Sequence, residues 1–158
     1  MDNFYLKVIR AFNVAEVEYL VVGGFAVNYY GYNRATGDLD LWISPRSSNL
    51  IKIEDALNRI GFEFGAEAQQ ELVNENIVSF EEDGCIIELI PRMNISREVS
   101  FDQAKSRSQS REVEGIEVRV IGLADLKDEK AKSGRYKDLD DLSKLDEAEA
   151  YYKRLKEE

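Results

Sequence analysis

The chain reads as an α+β protein in which helices flank one mixed β-sheet and a helical segment closes the C-terminus. Three observations predict this. Apolar residues recur at helical spacing near both ends, short β-prone runs and two tight-turn hairpins fill the middle, and both kinds of segment alternate along one chain. With 158 residues, 44% hydrophobic and 33% charged, and only 2 Pro and 10 Gly, the chain has the composition of a folded domain. That composition excludes collagen-like and disordered classes. No internal repeat, low-complexity segment or linker divides it, so one domain over 1–158 is expected, with a core at about 19–122 and C-terminal helices at about 123–155.

Each element has a local reason. Asp2 is placed to cap a helix whose Phe4, Tyr5, Val8, Ile9 and Phe12 form one stripe. Tyr19-Leu20-Val21-Val22 is a short apolar run, the mark of a buried strand, and it ends at the glycine turn Gly23-Gly24. Phe25–Tyr30 is long enough for a short helix closed by Gly31. Asp38-Leu39-Asp40-Leu41-Trp42-Ile43 alternates with period two, so Leu39, Leu41 and Ile43 share one face while Asp38 and Asp40 share the other. Ser47 or Ser48 begins a helix with Leu50, Ile53, Leu57 and Ile60 on one side and Gly61 past its end. Residues 77–80 and 85–90, joined at Glu82-Asp83-Gly84, read as a hairpin in which Glu88 faces away from Ile87 and Leu89. Val113, Val118 and Val120 around Glu114-Gly115 mark a second strand pair. Leu123–Lys132 and Lys137 to about Lys153 read as helices, the latter with a stripe of Leu139, Leu142 and Leu145.

Charge and composition narrow the chemistry. The chain has no histidine, which removes Ser-His-Asp and Cys-His nucleophilic sites and the common zinc sets. Acid–base or metal chemistry must then rest on carboxylates. The single cysteine, Cys85, forms no internal disulfide and fits a reducing compartment, so the cytoplasm is the expected location. No apolar run is long enough to span a membrane and no leader is evident, so no membrane association is expected. The net charge of −10 argues against extended nucleic-acid binding. One stretch is locally basic: Arg92, Arg97, Lys105, Arg107 and Arg111 face only Glu98 and Asp102. It is either a solvated face or part of an anion-binding surface.

Three strand acids carry the functional reading. Asp38 and Asp40 put two carboxylates on one strand face, about 7 Å apart at Cα. Alternation turns Glu88 out in the same manner, so the three converge if the two strands are neighbours. Bare carboxylates repel one another in a dry site, and a hard divalent cation such as Mg²⁺ is their natural partner. The alternative is a pair of solvent-facing acids on an edge strand. Gly23-Gly24, between strand and helix, lets backbone approach a phosphate, although a glycine pair alone marks no more than a turn.

Together these residues carry a resemblance. Val22-Gly23-Gly24, thirteen residues, and then Asp38-Leu39-Asp40-Leu41 resembles the signature of the nucleotidyltransferase superfamily founded on DNA polymerase β. Ile87-Glu88-Leu89 is similar to its third-acid strand. Arg34-Ala35-Thr36-Gly37 and the ending from Val120 through Lys130, Ser133-Gly134-Arg135 and Lys137-Asp138-Leu139 to Asp141-Leu142 resemble small stand-alone members. Those include the AbiEii/AbiGii toxin-type and the lincosamide nucleotidyltransferases. The resemblance implies the nucleotidyltransferase fold and transfer of an NMP from a nucleoside triphosphate to an acceptor hydroxyl.

It also implies roles. Asp38, Asp40 and Glu88 would be catalytic and hold two Mg²⁺ ions, or Mn²⁺, with Glu88 able to act as base on the acceptor. Gly23, Gly24, Arg34, Thr36 and Lys130 would lie on the nucleotide side. For Lys130 the alternative is a solvated helix lysine; for Arg34 it is a pair with a strand carboxylate. Tyr29, Tyr30 and Tyr32 line a base pocket or pack the core. Gly24 stands where many relatives have a phosphate-touching serine. The acceptor, whether small molecule, tRNA or protein, is left open, as are a partner protein that supplies recognition and a degenerate binding module.

Overall fold

The computed structural model describes residues 1–158. Helix α1 (Asn3–Val14) starts where expected, with Asp2 Oδ1 accepting from the Phe4 amide at 2.8 Å. Strand β1 (Tyr19–Val22), helix α2 (Gly23–Tyr29) and strand β2 (Asp38–Ile43) follow. The glycine pair is the first turn of α2 and not a loop before it. Helix α3 (Ser47–Arg59) has Arg46 at its N-cap, so the serines lie in its first turn and supply no cap bond. Next come α4 (Ala66–Val73), β3 (Val78–Glu82), β4 (Cys85–Ile90), a 3₁₀ turn (Asn94–Arg97) and α5 (Phe101–Ser106). The chain ends with β5 (Gln109–Val113), β6 (Ile116–Val120), α6 (Leu123–Ser133) and α7 (Tyr136–Glu157).

The six strands form one mixed sheet in the order β3-β4-β2-β1-β6-β5. β1 runs antiparallel to β2 and parallel to β6, β2 runs parallel to β4, and β3–β4 and β5–β6 are hairpins. Both hairpin turns hold two residues at positive φ, Asp83-Gly84 (50°, 80°) and Glu114-Gly115 (50°, 78°). That geometry matches the twist of the paired strands, and a glycine in the second position tolerates it.

The sheet has two unlike faces. Leu39, Leu41, Ile87 and Leu89, all fully buried, point to the side where Phe4 of α1 packs edge-on against Phe80. The opposite side carries Asp38 and Asp40, then Trp42, whose ring meets Phe101 of α5 at 5.4 Å. No helix is long and apolar enough to cross a membrane.

Two departures from the sequence reading matter. α4, α5 and the 3₁₀ turn were not anticipated, though α5 carries a reciprocal Ser100/Gln103 capping box that its S-x-x-Q spacing announces. The expected leucine stripe of α7 is buried only in part: Leu145 is in the core and Leu142 half-buried, but Leu139 is 43% exposed and Asp138 and Asp141 turn inward in its place. The helix packs through ion pairs because its neighbour α6 presents a buried lysine there.

Candidate active site

The β1–α2 junction and strands β2 and β4 build the floor of an open cleft of about 1050 Å³. Asp40 and Glu88 are register partners on neighbouring parallel strands, so alternation sends both carboxylates to the same side. Val22 pairs with Asp40 on the other flank, which brings Gly23 directly against it. Gly23 has φ +64°, and a Cβ there would lie 2.2 Å from Asp40 Oδ2. Only glycine leaves room for that carboxylate in its present place.

Asp40 is electrostatically stressed. Its Oδ1 is buried and has no hydrogen-bond partner. Burial, then the adjacent Glu88 and Asp38 carboxylates, push its carboxyl up to about 7, while the Lys130 ammonium opposes the shift. A buried oxygen with nothing to bind, beside a second carboxylate, is the arrangement a hard cation would relieve. As the side chains stand, no three acidic side chains are gathered around one point that would hold an ion. Asp40 and Glu88 line the cleft, whereas Asp38, on the same strand face, lies outside its lining. The donor set fits Mg²⁺ nonetheless, because that ion takes one or two carboxylates and fills its remaining positions with water and phosphate oxygens.

The other sequence-chosen residues divide. Gly23 and Lys130 line the cleft; Gly24, Arg34 and Thr36 do not. A Cβ on Gly24 would meet Thr36 Oγ1 at 2.4 Å and Arg34 Nη2 at 3.4 Å, so this glycine makes room for the loop that enters β2. Thr36 Oγ1 donates to the Asp38 carbonyl at 3.4 Å. Arg34 pairs with a carboxylate, but one on a helix: its Nε and Nη2 donate to Asp141 at 2.8 and 3.0 Å. Lys130 is no solvated lysine. It is 6% exposed, donates to Asp138 at 3.0 Å and forms an ion pair with Asp141 at 2.9 Å. Asp138 also accepts from Arg135 and Ser133. This buried network ties α7 to α6 and to the β2 entry loop.

Sequence reasoning passed over Asp138, Asp141 and Glu129 as functional supports. Glu129, 9% exposed, accepts from the amides of Asn94 and Ile95 at 3.1 and 2.9 Å and fixes the 3₁₀ turn beside the cleft. Acids three apart on a helix give no signal that separates a buried ionic face from a solvated one. The basic stretch is largely paired: Arg92 with Glu75, Lys105 with Glu18, and Arg107 with Asp125 through two bonds. Arg97 has no ion-pair partner and stands on the cleft wall. The hydroxyls of Tyr29, Tyr30 and Tyr32 bond to Gln109, the Ile121 carbonyl and Asp140, and none of the three lines the cleft.

Comparison with known proteins agrees with this geometry at the level of fold. A crystal structure of a Thermotoga maritima protein described as a candidate nucleotidyltransferase superposes with TM-score 0.54 at 16% identity, covering 98% of this chain and 92% of that one. An antigenic nucleotidyltransferase-like protein from Paracoccidioides brasiliensis superposes with TM-score 0.58 at 14% identity, covering 92% of this chain and 77% of that one. None of the curated proteins matches the sequence significantly. Residues 2–157 match the family described as nucleotidyl transferase of unknown function (DUF2204). The mixed sheet, the glycine entry to α2 and the acid pair on β2 and β4 thus sit in a chain that belongs to the DUF2204 nucleotidyl transferase family.

Proposed function

We propose that this single-domain protein is a Mg²⁺-dependent nucleotidyltransferase that moves an NMP from a nucleoside triphosphate to an acceptor hydroxyl. The observation that carries the reading is the buried, unpartnered Asp40 Oδ1 beside Glu88, at the floor of a cleft that Gly23 keeps open. Asp40 and Glu88, with Asp38 on the same strand face, would hold the metal. When bound, it supplies neutralisation of the triphosphate and a lowered barrier for phosphoryl displacement.

The chain's own residues then have defined tasks. Glu88 takes the proton of the acceptor hydroxyl. The acceptor oxygen forms a bond to the α-phosphorus as the bond from that phosphorus to the β-phosphate oxygen breaks, and pyrophosphate leaves with the electron pair. Arg97, Lys132 and Arg135, on the cleft wall, offset charge on the departing phosphates. Lys130, engaged by two aspartates, acts through its field on Asp40 and not as a free phosphate ligand.

Calorimetric titration with each NTP, in Mg²⁺ and in EDTA, tests the reading. Affinity should require the divalent ion and should disappear in Asp40→Asn, whose fold is retained. NTP affinity undiminished in EDTA would mean that the carboxylates bridge no metal to the nucleotide.

A further inference from the structure

The cations that line the cleft are Arg92, Arg97, Lys130, Lys132 and Arg135. All but one bring a carboxylate with them. Arg92 meets Glu75, Lys130 meets Asp138 and Asp141, Lys132 meets Asp128 and Glu98, and Arg135 meets Asp138. The exposed pairs among these open at little cost, but each opened pair leaves its carboxylate beside the phosphate it would serve. Arg97 is exposed on the cleft wall and carries no such partner. Its charge alone is wholly available to an anion.

The mount of Arg97 is built from outside its own segment. Arg97 ends the four-residue 3₁₀ turn Asn94–Arg97, a stretch too short to hold itself. The first amides of such a turn have no internal partner, and Met93 at the N-cap has no side-chain oxygen to offer them. Glu129 of α6 supplies the acceptors. One carboxylate oxygen takes the Asn94 amide at 3.1 Å and its Nδ2 at 2.8 Å, and the other takes the Ile95 amide at 2.9 Å. Bonds to a carboxylate are among the stronger hydrogen bonds, and Ile95 is fully buried. At the turn's other end Ser96 Oγ accepts from the Met93 amide at 2.9 Å. Both oxygens of Glu129 are thus spent on the turn that ends in Arg97, in a cleft where a negative charge by itself opposes a nucleotide.

We infer that Arg97 grips the β- and γ-phosphates of the nucleotide, and that Glu129 is the positioning residue that holds Arg97 there through the 3₁₀ turn. This rests on the nucleotidyl-transfer reading and names what sets the phosphate requirement of that same site. The α-phosphate belongs over Asp40 and Glu88 on the floor, and the β- and γ-phosphates carry the nucleotide's remaining charge. A guanidinium presents paired N–H donors that match phosphate oxygens. Lys132 and Arg135 then contribute through their field, and Arg97 through contact.

The test uses the full chain in Mg²⁺, with calorimetric titration of NTP and of inorganic pyrophosphate. Affinity for the matching NMP is read by displacement of a fluorescent NTP. Arg97→Gln should weaken NTP and pyrophosphate at least about tenfold and leave NMP unchanged. Glu129→Gln should show the same split, because its amide nitrogen turns a donor toward the amides of the turn. The sign is decisive: removing a negative charge from the cleft strengthens phosphate binding unless Glu129 acts through Arg97. The double variant should bind NTP no more weakly than either single one, as for residues that act as a unit. If Glu129→Gln loses its native circular dichroism, Ser96→Ala carries the same comparison, since it loosens the turn from outside the cleft lining. NTP affinity indifferent to Arg97→Gln, or NTP and NMP weakened alike, overturns the phosphate assignment. Tighter NTP binding in Glu129→Gln, or additive losses in the double variant, overturns the positioning role. Absence of Mg²⁺-dependent NTP binding in the wild type removes the parent reading and this inference with it.

Discussion

Replacing Asp40 by Asn gives a quantitative check on the stressed carboxylate. Burial and its acidic neighbours hold this carboxyl at about 7 against an ordinary 3.8. That difference corresponds to about 4 kcal/mol between the protonation states. The sign follows from linkage. The folded state binds the proton more tightly than the unfolded one, so the contribution is complete below the unfolded value and is lost as pH rises through about 7. Between about pH 5 and pH 8 the metal-free wild type should lose roughly 2–3 kcal/mol from this group, or roughly 5–10 °C in Tm. Asn has the same shape and no charge to lose, so Asp40→Asn should lack this component and be the more stable protein at the alkaline end. Melting curves of both proteins in EDTA across the pH range isolate the effect of Asp40 and the acids it faces, because titrations away from that cluster are common to the two. Mg²⁺ should raise the wild-type Tm most at high pH, where the carboxylate is ionised. Parallel pH profiles would refute the reasoning, since Asp40 would then titrate as an ordinary carboxylate.

Lys130→Met should lower stability by roughly 1.5–3 kcal/mol in urea denaturation, because it removes the buried cation that Asp138 and Asp141 share and leaves them only Arg135 and Arg34. Arg135→Ala, which removes a 75% exposed partner of the same Asp138, should cost no more than about 1 kcal/mol in the same assay. Gly23→Ala should displace the Asp40 carboxylate that its Cβ overlaps and strain a backbone at φ +64°. Mg²⁺-dependent NTP affinity should fall at least about tenfold by calorimetry while far-ultraviolet circular dichroism stays native. Burial pushes the Asp138 carboxyl up, but bonds from Ser133, Arg135 and Lys130 outweigh it and hold it down to about 2. Its contribution of about 2 kcal/mol is therefore present above the ordinary carboxylate range and lost as pH falls through about 2. Acid denaturation of Asp138→Asn should show a correspondingly shallower decline.

Elements with a local cause were legible in the residues alone. Alternation defined β2 and put Leu39 and Leu41 opposite Asp38 and Asp40. The Asp83-Gly84 and Glu114-Gly115 turns defined both hairpins, because a two-residue turn fixes its own register. Asp2 announced α1 through a bond within its own first turn. The α4 and α5 helices were missed because each is short and buries few apolar residues, Leu72 in one and Phe101 and Ala104 in the other.

What no periodicity contains is which strands are neighbours and which charges meet. Alternation predicts that Asp40 and Glu88 each turn from their apolar faces, but only the β2–β4 pairing sets them side by side. Arg34 and Asp141 lie far apart in the chain, and nothing local distinguishes that pair from solvated charges. The same holds for α7, whose leucines follow helical spacing while Asp138 and Asp141 share its buried face with Leu145, since Lys130 of α6 and Arg34 of the β2 entry loop converge there. The residues thus fixed the elements and the acids on offer, through forces that act within a few positions of the chain. The tertiary structure decided which acids share a cleft and which cations are already spent on holding it, because Coulomb and burial energies depend on distance in space and not on separation in sequence.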